Sequence, residues 1–146
     1  MAEQDIKSFI AKLNSVAIEP IVGKRFNQAL GAVAEFSKTT NRFVSRTGRL
    51  ITSTQGKATG FEGKLFNEVS YAGYVHDGTK PHVIRPKSVK ALKFKVGGST
   101  VYAKKVNHPG YKGDPWIERA WKARENAVIN FIERTTVSDI TKEMRL

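Results

Sequence analysis

Three side chains in this sequence suit proton transfer near neutral pH or metal ligation through a neutral nitrogen: His76, His82 and His108. His76 is followed directly by Asp77, and His82 follows across Gly78, Thr79, Lys80 and Pro81. A His/His/Asp metal site is geometrically conceivable on that spacing. It matches no zinc signature, however, and residues 78–113 contain no carboxylate to complete or orient a ligand set. Loop histidines hydrogen-bonded to backbone are the plainer reading, so no metal ligand is assigned. His82 or His108 beside Lys80 or Lys112 also has the residue types of a small basic ribonuclease or toxin. Such an enzyme needs a base, and a cation to stabilise charge developing on phosphorus. Residue type alone supports that alternative, and no catalytic residue is assigned.

The stretch NHPGYKGDPWIERAW, residues 107–121, gathers His108, Pro109, Gly110, Lys112, Gly113, Trp116 and Trp121. Its glycines lack the spacing of a phosphate-binding loop, and no Lys-Ser or Lys-Thr follows them. A turn fits better, with glycines at positive φ and Pro109 stiffening the approach. No cofactor motif is found there or elsewhere. Trp116 and Trp121 are five apart, so they do not share a helical face neatly. That spacing suggests one core residue and one exposed partner anchor.

These loops need elements to hold them. Ile6, Phe9, Ile10, Leu13, Val16 and Ala17 recur at helical spacing, and so do Val22, Phe26, Ala29, Leu30, Val33 and Ala34. Between the two runs stands Pro20. Residues 1–44 therefore read as one long helix kinked near Pro20, or as two helices in line. Residues 45–54 carry a glycine and a cluster of hydroxyls and read as a connector. Phe61, Gly63 and Leu65 alternate as in a half-buried strand. Tyr71, Tyr74 and Val75 suit one side of a short helical turn, which ends in Asp77-Gly78. His82 to Pro86 suits a brief edge strand.

The clearest local pattern is ALKFKVGGSTVYAKKV, residues 91–106. Alternating apolar and basic residues flank Gly97-Gly98, which predicts a β-hairpin with one apolar and one largely basic face. Asp114-Pro115 reads as N-cap and first residue of a helix over residues 114–134. Residues 135–146 are left as a tail, and residues 45–113 form the region of sheet and loops. The fold class is α+β: a single domain over residues 1–146, with a small antiparallel sheet covered by helices.

Composition limits the function classes. The 146 residues are 40% apolar and 10% aromatic, enough for a core. No apolar run reaches membrane-spanning length, and the N-terminus lacks the basic start of a signal peptide, so the protein is expected in a cytoplasm. With no cysteine, disulfide and thiolate chemistry are excluded. Twenty-five basic residues against thirteen acidic ones give a net charge of +12. The excess concentrates in residues 78–113, where nine basic residues meet no acidic one. Such a block suits an anionic neighbour, either nucleic acid or an acidic protein surface. Lys93, Lys95, Lys104 and Lys105 are the candidate contact face. Lysines alone give salt-sensitive affinity without reading sequence.

The order of motifs adds a resemblance. TGRL at residues 47–50 follows the long helix, then YAGYVHDGTKPHVIRPK at residues 71–87, ALKF at 91–94, and VYAKKVNHPGYKGDPWIERAW at 101–121. In this succession the chain resembles the neck or tail-completion proteins of long-tailed bacteriophages, over residues 45–125. That family carries a Y-A-x-Y-V-x-x-G-T segment, a small hairpin, an H-P-G-x-x-G-x-P loop and a C-terminal helix. Trp116-Ile117 departs from the family's Phe-Leu or Phe-Met pair but keeps its apolar character. The resemblance implies a virion protein without catalytic residues, made in the host cytoplasm and assembled as a homo-oligomeric ring, typically of six. The resemblance places such a ring between head connector proteins and the tail tube with its terminator, where it completes the tail in non-specific proximity to DNA; no membrane is involved. Its implied loop and interface residues are Tyr71, Tyr74, His76, Gly78, Thr79, Lys80, His82, His108, Pro109, Gly110, Lys112, Gly113, Trp116 and Trp121.

Overall fold

The computed structural model describes residues 2–144. Its helices are α1 (Ala2–Ser15), α2 (Ile18–Thr40), α3 (Arg49–Thr52), α4 (Ala72–Asp77) and α5 (Trp116–Glu143). Six strands pair as three antiparallel ribbons: β1 (Thr54–Thr59) with β2 (Glu62–Asn67), β3 (His82–Ile84) with β6 (Val106–His108), and β4 (Leu92–Val96) with β5 (Ser99–Ala103). The class is α+β, as the sequence implies. The expected single sheet is instead three separate ribbons.

The chain divides into two compact units, residues 73–115 forming one and the segments on either side of them the other. In the larger unit α2 is the central element, packed against α5 and against the β1–β2 ribbon. Ala29, Val33, Ala120 and Val128 form the core, with Phe26, Phe36, Leu65, Trp121 and Ile132 packed around them. The ribbon approaches α2 at backbone distance. A Cβ on Gly56 would overlap the Leu30 carbonyl, so this position has room only for glycine. Nearby, Asn27 Oδ1 accepts the Ala58 N–H at 2.9 Å, joining helix to strand.

Several expectations change. The N-terminal helices separate at Val16-Ala17, before Pro20, and Pro20 lies in the first turn of α2. A proline costs little there, because first-turn N–H groups lack intrahelical partners anyway. The connector at residues 45–54 contains α3 and the start of β1, so the strand expected near Phe61 is one arm of a hairpin whose turn includes Gly60 and Phe61. No tail begins at residue 135, since α5 continues to Glu143. The run of β-branched residues and hydroxyls there reads as weak helix former. In the fold Thr135 and Thr141 donate back to the carbonyls of Phe131 and Val137, at 2.6 and 2.8 Å, and Thr136 is buried. Arg25 on α2 also grips Asp139 with two bonds, Nε–Oδ2 at 2.7 Å and Nη2–Oδ1 at 2.8 Å. Residues 145 and 146 of the expected tail lie outside the described residues.

Candidate functional site

Asp77-Gly78 ends α4, and the loop beyond it runs beside the loop of residues 108–114. Thr79 N–H donates to the Tyr111 carbonyl at 2.7 Å, and Tyr111 N–H returns a bond to the Thr79 carbonyl at 2.9 Å. Asp114 N–H donates to the Val75 carbonyl at 2.9 Å. This clasp brings two backbones too close for side chains. Gly78 and Gly113 adopt φ of 85° and 82°. A Cβ on Gly78 would overlap the Tyr111 carbonyl oxygen, and one on Gly113 would stand 2.6 Å from Gly78 N. Gly110, also at positive φ, faces the Thr79 carbonyl in the same way. Three of the predicted residues thus meet as one backbone device, and their glycine identity follows from the approach.

The histidines serve the same device. β3 and β6 place His82 directly opposite His108, with ring centroids 5.0 Å apart. His108 Nδ1 accepts the Gly110 N–H at 3.1 Å, which puts the proton of the neutral ring on Nε2. His82 Nδ1 donates to the Lys80 carbonyl at 2.8 Å, which leaves the lone pair of its neutral ring on Nε2. The sequence pairing of His82 with His76 is replaced by this cross-strand pair. His76 instead meets its neighbour Asp77, Nδ1 to Oδ1 at 2.6 Å. Among the described residues no three His, Asp or Glu side chains gather as a metal site would require.

Anion binding by the clasp is limited by the same bonds. The amides of Thr79, Gly110, Tyr111 and Asp114 all have partners inside the fold, so none of the four is available to cradle a phosphate. What the clasp presents outward is side chain. Tyr74, Gly78, Thr79, Lys80 and His82 line a shallow concavity, with Tyr74 and Lys80 exposed. Tyr71, Pro109, Tyr111 and Lys112 are exposed as well.

The β4–β5 ribbon carries the basic face. Lys93 stands opposite Tyr102 with its ammonium 5.9 Å from the ring centroid, and Lys95 stands opposite Thr100. Lys104 and Lys105 are exposed just beyond the ribbon. Tyr102, 65% exposed, went unassigned in the sequence reading, although the alternation Thr100, Tyr102, Lys104 places it on this face. On the other face Leu92 and Phe94 are half-buried, while Val96 and Val101 are exposed.

Neither tryptophan is an exposed anchor. Trp116 is 1% exposed, edge-on to Phe43 at 5.0 Å, and its Nε1–H reaches Thr54 Oγ1 at 3.3 Å. Asn67 Nδ2 donates to the same Thr54 oxygen at 3.0 Å and to the Leu50 carbonyl at 2.6 Å. Trp121 is half-buried against the α2–α5 core. Both residues lie in the first two turns of α5, and the larger unit uses them to fix the helix.

The unpartnered apolar surface lies elsewhere. Along α1, Ile6, Phe9, Ile10 and Leu13 are all exposed, by 37–59%. No described helix is long and apolar enough to cross a membrane. No protein-family model matches the sequence, and comparisons with curated proteins and with solved structures return no match.

Proposed function

We propose that this protein is a structural subunit of the neck of a long-tailed bacteriophage, completing the tail and joining it to the head through protein–protein contacts in a homo-oligomeric ring. One observation carries the assembly part of the reading: the stripe Ile6, Phe9, Ile10 and Leu13 stands in solvent along α1. Burying such side chains gains roughly 1.5–3 kcal/mol each, so a partner surface is the natural destination of the stripe. The clasp supports the non-catalytic part, because backbone amides bond across its two loops and each histidine is hydrogen-bonded within its own segment. The two-stranded ribbons offer open edges to neighbours. The assignment to the neck rests on the succession of sequence motifs.

A second reading, a basic nucleic-acid-binding module, draws on the face of Lys93, Lys95 and Tyr102. Lysines for phosphates beside an exposed ring for base stacking are the two parts of a single-strand platform. A small histidine-dependent nuclease would instead need the imidazoles for chemistry. Complementation separates these readings. Phage tails made without this protein should join heads when it is added. The variant with alanine at His76, His82 and His108 should retain most of that activity. Loss of a hydrolytic activity or of bound metal in the triple variant would sink the structural reading.

A further inference from the structure

The smaller unit is built around one long, interrupted hairpin. Thr79 pairs with Tyr111, and β3 with β6 in the same register, from His82–His108 to Ile84–Val106. Pairing stops there and resumes in a shifted register at Leu92–Ala103, running to Val96–Ser99 at the Gly97-Gly98 turn. Between the two ladders, residues 85–91 of one side stand against residues 104–105 of the other.

Cations collect at this interruption. Arg85, Lys87 and Lys90 lie on its long side, Lys104 and Lys105 on its short side, and all five are exposed. Lys93 and Lys95 follow on one face of β4–β5, and Lys80 stands at the base. Residues 79–111 contain no carboxylate, and among the described residues none of these cations lies in an ion pair. Like charges framed by two ladders repel, and a partner carrying repeated negative charge relieves that repulsion.

The make-up of the patch selects the polyanion. All of these cations but Arg85 are lysines, which protein–protein interfaces tend to exclude and which meet phosphates as flexible point charges. A two-stranded ribbon also has the width to enter the major groove of duplex DNA. Along β4, Lys93 and Lys95 are about 6.8 Å apart, roughly twice the axial step between phosphates of one duplex strand. The exposed ring of Tyr102, opposite Lys93, adds a stacking surface for an unpaired base.

We propose that the hairpin of residues 79–111 binds the phosphate backbone of nucleic acid, with the interruption between its two ladders as the centre of the site. The contact is to phosphate and reads no sequence. It goes beyond the assembly reading and does not rest on it, because it uses neither α1 nor the α2–α5 core.

The full chain carries its own control. Lys57 and Lys64 form an exposed cross-strand pair on β1–β2, their ammonium groups 5.6 and 5.1 Å from the Phe66 ring centroid. Three double variants each remove two charges: Lys87→Gln with Lys90→Gln, Lys104→Gln with Lys105→Gln, and Lys57→Gln with Lys64→Gln. Circular dichroism checks the folds, and fluorescence anisotropy follows binding to labelled duplex and single-stranded DNA across a salt series. The first two variants should each flatten log affinity against log salt by about 1.8 on duplex and about 1.4 on single strands. The third should leave the slope unchanged. Equal losses in all three mean that net charge, not the hairpin, does the binding, which overturns the inference. A parent protein without salt-dependent affinity for either DNA overturns it too. Polyglutamate bound as tightly, with the same dependence on the hairpin lysines, would move the site to an acidic protein surface and also overturns it. Tyr102→Leu tells the two forms of the ligand apart. A roughly tenfold loss confined to single strands supports stacking on the ring, and unchanged affinities support duplex phosphates alone.

Discussion

Alanine at Gly78 and alanine at Gly98 make a matched pair of perturbations. The two glycines have nearly the same backbone conformation, φ 85° and 86°. The strain of placing an L side chain in that region, about 1–2 kcal/mol, is therefore common to both. Their surroundings differ. A Cβ on Gly98 meets nothing within 4 Å, whereas one on Gly78 overlaps the Tyr111 carbonyl oxygen and stands 2.7 Å from the Lys112 carbonyl carbon. Backbone cannot swing aside as a side chain can, so the two loops must separate. Separation breaks the reciprocal bonds between Thr79 and Tyr111. At about 1 kcal/mol net for each bond, Gly78→Ala loses about 2 kcal/mol more than Gly98→Ala. That difference corresponds to roughly 30-fold in an opening equilibrium. Amide hydrogen exchange reads it directly: Thr79 and Tyr111 should exchange at least about 30-fold faster in Gly78→Ala than in Gly98→Ala, whose strain lies in the β4–β5 turn. Equal exchange at those amides in the two variants would refute the clasp as the reason for glycine at residue 78.

Trp116→Phe should keep the contact with Phe43 but lose the bond to Thr54, costing about 1 kcal/mol, while Trp116→Ala should cost about 3–5 kcal/mol; thermal melts that match the parent would contradict its place in the core. The hydrogen bonds from Arg25 hold the Asp139 carboxyl below the usual carboxylate range. Its contribution is therefore present above the unfolded pKa, near 3.9, and lost as pH falls through the lower folded value. Asp139→Asn should accordingly melt below the parent at neutral pH and converge with it in strong acid; a gap that persists unchanged into acid would contradict the pairing. If the β4–β5 face touches DNA, Lys93→Glu with Lys95→Glu should flatten the plot of log affinity against log salt by about two; titration against duplex and single-stranded DNA measures the slope, and an unchanged slope removes this face from DNA contact.

The sequence was most legible where a pattern was local and periodic. Alternation around Gly97-Gly98 located the β4–β5 ribbon, and helical spacing located the stripes of α1 and α2. Long-range pairing was not legible. Nothing near Arg25 announces Asp139, yet that pair helps to hold the last turns of α5 against α2. The threonine-rich end of α5 has poor helix propensity, and tertiary contacts, above all that pair, override it. The glycines of the clasp were recognisable as turn residues, but the close approach that requires them joins loops far apart in sequence. The same holds for His82 and His108, whose pairing depends on the β3–β6 register. Of the two tryptophans one was expected in the core and one exposed; both turned inward, because an apolar residue early in a helix suits a core or a partner equally well and only the fold chooses.

The central claim is that the protein works by occupying the end of a phage tail. Electron microscopy of headless tails incubated with gold-labelled protein tests it most directly. Label confined to the head-proximal tip, with ring-shaped density there, is the expected result. Unlabelled tips, with the protein remaining a free monomer at saturating concentration, would contradict it.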